Sequence, residues 1–202
     1  MLQYKTIHPA TLQLLKDLQA LPLLQGTRLV GGTSLALQLG HRNSIDLDLF
    51  GTVEYSSDEI REALSAGHSL SVVKESKNIN IYLINDVKVD IVNYSYGWIE
   101  EPVYGEGFTL AGVKDIAAMK IAAIVGRGTK KDFIDLFFLL KQFSLREILD
   151  LYMQKYPDGS MFIAMKSLSY FEDAEPDPMP LMFVDVSWPV VKDAIRQALI
   201  SL

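Results

Sequence analysis

The sequence predicts an α+β fold, with a small mixed sheet in its first half and a bundle of helices in its second. Three observations predict it. Up to about residue 108, short apolar helices alternate with period-two strands; from 109 to 202 only helical periodicity remains; and a Gly- and aromatic-rich connection, 93–108, joins the two. With 202 residues, 49% of them hydrophobic, the chain is long enough to bury a sizeable core. The α/β core (1–108) and the helical region (109–202) are therefore read as one integrated unit.

Taken in order, Leu12, Leu14, Leu15, Leu18 and Leu21 recur at helical spacing before Pro22, which predicts a helix over 9–20. Arg28-Leu29-Val30 reads as a short strand running into Gly31-Gly32-Thr33-Ser34, and Leu35 to Leu39 as a helix ended by Gly40. From Ile45 to Phe50 the chain alternates strictly, placing Ile45, Leu47 and Leu49 on one face and Asp46 and Asp48 on the other. A polar helix is predicted over 57–65 and a strand over 69–73. Segments 79–84 and 87–92 form a hairpin turning at Asn85-Asp86. In its second arm Val87, Val89 and Ile91 point one way, and Asp86, Lys88 and Asp90 the other. Helices follow over 113–125, 131–143, 145–156, 161–170 and 189–202, with an acidic, proline-containing loop at 171–180.

Composition narrows the function classes. Cys is absent, which excludes disulfides and thiolate metal sites, and His8, His41 and His68 are too scattered for a zinc site. Lys16 and Asp17 interrupt the apolar N-terminal residues, so no signal peptide is read. No apolar run approaches the roughly 20 residues that span a bilayer. A soluble protein of the reducing cytoplasm is expected, without a membrane partner. A net charge of −6 means that the surface as a whole does not attract nucleic acid, so any RNA or DNA must be held by a local basic patch.

The chemistry rests on carboxylates and glycines. Phosphoryl and nucleotidyl transfer require charge to be neutralised on the reacting phosphate, and hard oxygen ligands holding Mg²⁺ do this. Asp46 and Asp48, two apart on a strand, project from one face about 6–7 Å apart. Asp90, on the polar face of a neighbouring strand, is the candidate third ligand. A strand entering a helix through Gly31-Gly32 lets backbone N–H groups approach phosphate, with Thr33 and Ser34 supplying hydroxyls. The competing readings are a solvated strand face for the aspartates and a plain tight turn for the glycines.

Val30-Gly31-Gly32, then Asp46-Leu47-Asp48-Leu49, then Val89-Asp90-Ile91 resembles the three-part signature of the DNA polymerase β nucleotidyltransferase superfamily. More closely, the stretch from Gly31 to Asp48, with the later segments 117–124 and 127–136, resembles the AbiEii/AbiGii-type toxin family. The resemblance implies a polymerase-β-like nucleotidyltransferase core that uses NTP and Mg²⁺ to modify an RNA acceptor such as tRNA. It also implies a toxin role in a two-gene defence module with a cognate antitoxin or regulator. Two alternatives stay open: a catalytically idle module binding nucleotide or antitoxin, and a nucleotidyltransferase with a small-molecule acceptor, which suits the acidic surface.

Further candidates follow from helix geometry and from the resemblance together. Lys120 has Ile116, Ala117, Ala123 and Ile124 at helical neighbour positions, so its ammonium needs a partner. That partner is a helix carboxylate or, as the resemblance favours, nucleotide phosphate. Lys131, Asp132 and Asp135 open the next helix, with Lys131 and Asp135 spaced as an i,i+4 pair; the resemblance sets this helix against the active site. Arg127, Lys130 and Lys131 form a local basic patch or a solvated loop. Arg42 is a candidate phosphate contact, and His41 is read as structural.

Overall fold

The computed structural model describes residues 1–202, which form a seven-stranded mixed sheet and eight α-helices. Helix α1 (Pro9–Ala20) starts at His8, whose imidazole Nδ1 accepts the Ala10 N–H, with Pro9 at the first position, where no N–H is needed. Strand β1 (Thr27–Leu29) leads into α2 (Gly31–Leu39), which ends at Gly40 in the left-handed conformation, φ +73°. Next come β2 (Leu47–Gly51), α3 (Ser57–Ser65), β3 (Leu70–Lys74), β4 (Ile79–Ile84) and β5 (Val87–Asn93). Asn85 and Asp86, with φ of 48° and 65°, make the pair of positive values a type I′ hairpin turn requires. Strands β6 (Val103–Gly105) and β7 (Phe108–Leu110) precede α4 (Val113–Gly126), α5 (Lys130–Leu139), α6 (Leu145–Lys155), α7 (Met161–Leu168) and α8 (Trp188–Ile200).

The strand order is β3-β4-β5-β2-β1-β7-β6, with β2 parallel to β5 and β1 parallel to β7. Strands β6 and β7 fall across the connection 93–108, for which no strand is predicted, and β7 carries the sheet past residue 108. Each is three residues long, too short for alternation to show, and tertiary pairing supplies what local pattern does not. Ile45 also departs from its predicted place: it lies outside β2 and is 55% exposed. The Thr33 hydroxyl takes the Asp46 carbonyl, fastening this segment to α2 rather than to the sheet.

Period-two alternation sorts the sheet into an apolar and a mixed face. On the first, Leu29, Leu47, Leu49, Val89 and Ile91 pack with Leu14, Leu15 and Leu18 of α1 and Ile60 and Leu64 of α3. A second cluster joins Val30 and Leu35 to α4–α8, with α4 touching α2, α5, α6 and α7. Asp48, Phe50 and Asp90 alternate with the first cluster's residues and so face the helical side. The segment before α8 grips the loop ahead of β2: Asn43 N–H donates to Leu181 O at 2.8 Å, and Phe183 N–H to His41 O at 2.9 Å.

Candidate active site

A cleft of about 330 Å³ opens where the N-terminus of α2, the Arg42–Asp48 segment, the α4–α5 junction and residues 177–178 meet. No hydrophobic residue lines it. Parallel pairing of β2 with β5 sets Asp48 directly beside Asp90. Burial and the adjacent Asp90 carboxylate push the Asp48 carboxyl up to about 6. Lys88, two residues before Asp90 on the same face, places its Nζ 2.5 Å from Asp90 Oδ1. Gly31 adopts φ +67°, and a Cβ there would collide with Asp48 Oδ2, so this position is closed to other residues on two counts. A Cβ on Gly32 would meet the Arg42 guanidinium.

The opposite wall is a buried ionic network centred on Asp135. Its carboxylate accepts Arg42 Nε at 2.7 Å and Arg42 Nη2 at 2.9 Å, lies 2.8 Å from His41 Nε2, and pairs with Lys120 Nζ at 2.6 Å. Burial works against its charge, but Lys120 and Arg42 outweigh burial and hold the carboxyl well below the usual range. Lys120 also donates to Asp132 Oδ1 at 3.0 Å, and Asp132 Oδ2 accepts from Arg127 Nε at 3.1 Å and from the Thr129 hydroxyl at 2.7 Å.

The structure brings Gly32, Arg42, Asp46, Asp48, Lys120, Lys131 and Asp132 to this cleft. Other predicted site residues, Gly31 and Asp90 among them, are not in its lining; those two adjoin it through Asp48. Asp135 is fully buried beneath Arg42 and Lys120 and holds them rather than meeting a ligand. Lys131 and Asp135 make no i,i+4 pair, because Lys131 is exposed on the cleft side while Asp135 points into the core. Thr33 and Ser34 are buried: Thr33 donates to Asp46 O and accepts from the Ser44 hydroxyl, and Ser34 Oγ accepts from Gln38 Nε2. The first turn of α2 thus directs both hydroxyls inward, and only its backbone remains for phosphate. Lys130 leaves the basic patch, since its buried Nζ donates to the carbonyls of Glu175 and Asp177. His41 is structural, its ring 4.8 Å from that of Phe138. Ser44, Thr129, Asp177 and Pro178 also line the cleft; no spacing in the sequence marks them.

Asp46, Asp48 and Asp90 do not close on a single ligating position: no group of three acidic or histidine side chains is so gathered. Like charges repel, and Lys88 already neutralises Asp90. The donor chemistry nonetheless fits a hard divalent cation. Ion pairs engage Asp90, Asp132 and Asp135, but neither Asp46 nor Asp48, and the Asp48 carboxyl is raised first by burial and then by the Asp90 carboxylate, whose repulsion a cation would offset.

The family model for the nucleotidyl transferase AbiEii toxin of type IV toxin–antitoxin systems matches residues 13–188. The chain belongs to this family. All residues lining the cleft fall within the span matched to the AbiEii nucleotidyltransferase, from Gly32 to Pro178. A similar protein from Aquifex aeolicus (strain VF5), aq_aa25, is 39% identical over 152 residues, covering 72% of this chain and 74% of that protein. Two solved structures share the AbiEii-family fold of this chain. JHP933 from Helicobacter pylori has a TM-score of 0.59 at 21% identity, covering 96% of this chain and 90% of its own. MenT4, a nucleotidyltransferase toxin from Mycobacterium tuberculosis, has a TM-score of 0.60 at 18% identity, covering 95% and 83%.

Proposed function

We propose that this AbiEii-family chain transfers a nucleotide from an NTP to an acceptor hydroxyl, with Mg²⁺ held by Asp46 and Asp48 and by Asp90 once the cation takes the place of the Lys88 ammonium. The observation that carries the proposal is the in-register pair Asp48 and Asp90 beneath the glycine turn of α2. Held there, Mg²⁺ would neutralise charge on the reacting phosphate. The first-turn N–H groups of α2 have no intrahelical carbonyl to reach, so those of Gly31 and Gly32 receive the β- and γ-phosphates. Lys120, Arg127 and Lys131 supply positive charge to the departing pyrophosphate from the facing wall. The acceptor oxygen bonds to the α-phosphorus as the bridging P–O bond to the β-phosphate breaks, and the hydroxyl proton passes to an Asp90 carboxylate oxygen.

The acceptor in this reading is RNA such as tRNA, and the family assignment makes a cognate antitoxin the expected genetic partner. The reaction is set in the cytoplasm; no helix is long and apolar enough to cross a membrane. A small-molecule acceptor is the second reading, favoured by the net charge of −6. Incubation with α-phosphate-labelled NTPs, Mg²⁺ and total RNA tests the proposal. Label should enter RNA, and should be lost with Asp48→Asn or a chelator. Undiminished labelling by the Asp46→Asn/Asp48→Asn double variant overturns it.

A further inference from the structure

Beside the cleft lies a second groove of about 570 Å³, between the C-terminal end of α4 and helix α7. Arg127 belongs to the walls of both. Helix α7 buries Ala164 and Leu168 and turns Phe162 and Lys166, one helical turn apart, outward; Tyr170 follows one turn later. Phe162 is 76% exposed and Tyr170 48%, a large apolar area to leave in water. Lys166 is exposed and has no ion-pair partner, whereas the groove's one acid, Asp173, accepts the Tyr170 hydroxyl at 3.3 Å.

We infer that this groove carries the single-stranded end of a nucleic-acid acceptor, with bases stacked on Phe162 and Tyr170 and phosphates on Lys166 and Arg127. The inference rests on the nucleotidyl-transfer reading of the adjacent cleft and names the path by which the acceptor hydroxyl arrives. Exposed π-faces interleaved with cations are what single strands bind without sequence readout. Continuity through Arg127 leads the strand's end into the cleft lined by Asp46 and Asp48, as the reaction requires. A chain of net charge −6 can hold a polyanion only where cations are locally available; Lys166 is the free cation here, and beside it Arg127, though paired with Asp132 through Nε, is 67% exposed. A small-molecule acceptor would occupy the cleft and make no use of an aromatic groove outside it.

Fluorescence-anisotropy titration of the full chain with a labelled single-stranded RNA of about 12 nucleotides tests this. Phe162→Ala and Lys166→Gln should each weaken RNA binding about tenfold. Lys166→Gln should also flatten the slope of log affinity against log salt by about 0.7, which loss of mere packing would not do. Both side chains are exposed, so melting temperatures should stay unchanged, and calorimetric NTP affinity should be unaffected. A wild-type chain that binds NTP but whose RNA affinity ignores both substitutions overturns the groove alone; a chain that binds neither ligand overturns both readings. If Phe162→Ala dissociates a dimer in sedimentation while RNA affinity holds, the face belongs to a second copy and the inference fails.

Discussion

Two aspartates, Asp48 in the cleft and Asp135 buried behind its opposite wall, carry opposite electrostatic burdens. Asp48 is raised from 3.8 to about 6, so its proton is held more tightly in the folded chain. Its contribution to stability is fully present below pH 3.8 and is lost as pH rises through about 6. Asp48→Asn is therefore expected to stabilise the metal-free protein by about 2 kcal/mol near pH 7.5 and by little near pH 4, as read by urea unfolding at both. Asp135 is the reverse case, a lowered carboxyl whose support persists at neutral pH and fades only under strong acid. Asp135→Asn should cost about 3–5 kcal/mol, because it strips a buried partner from Arg42 and Lys120. Lys120→Met, which helix packing alone would tolerate, should cost a similar amount by uncovering Asp132 and Asp135. That Lys120 needed a partner was legible from its apolar neighbours. A helix carboxylate was one of the two partners left open; that Asp132 and Asp135 of the next helix both take the role was not legible, because their approach depends on how the two helices pack. The inward turn of Thr33 and Ser34 was hidden for a related reason: side-chain direction in a helix's first turn depends on what packs over it.

Elements with period two or a recognisable turn could be read from the chain alone. The Asn85-Asp86 hairpin and the alternation of Asp48 with Leu47 and Leu49 depend on neighbouring residues only, whereas Asp46, expected on the same strand, lies just ahead of β2. Strands β6 and β7 exist because partners lie beside them, and Ile45 is expelled because Thr33 claims the next carbonyl. The glycine turn gives an element-scale test. Gly31→Ala should destabilise by at least about 1–2 kcal/mol through left-handed strain, with the collision at Asp48 added, and should abolish NTP binding by calorimetry. Gly126→Ala is its control: a Cβ at that last position of α4 meets open space, and stability should hold or rise slightly.

At the scale of the whole molecule, the sheet separates two cores and the cleft lies on the side of the helices. The 41–43 loop is pinned by residues 181–183, a contact across most of the chain that local pattern could not reveal. Because residues distant in sequence complete one another here, urea unfolding by fluorescence and by circular dichroism should give coincident single transitions; separated transitions would mean that the two regions fold apart. The nucleotide site itself is tested most directly by the melting temperature with and without NTP and Mg²⁺. A ligand that binds only the folded state stabilises by mass action, about 2.7 kcal/mol at a hundredfold excess over Kd. The wild-type chain should show that rise, and the Asp46→Asn/Asp48→Asn double variant should show none while melting no lower than wild type without ligand. A rise of unchanged size in the double variant would place the nucleotide elsewhere and contradict the assignment of this cleft.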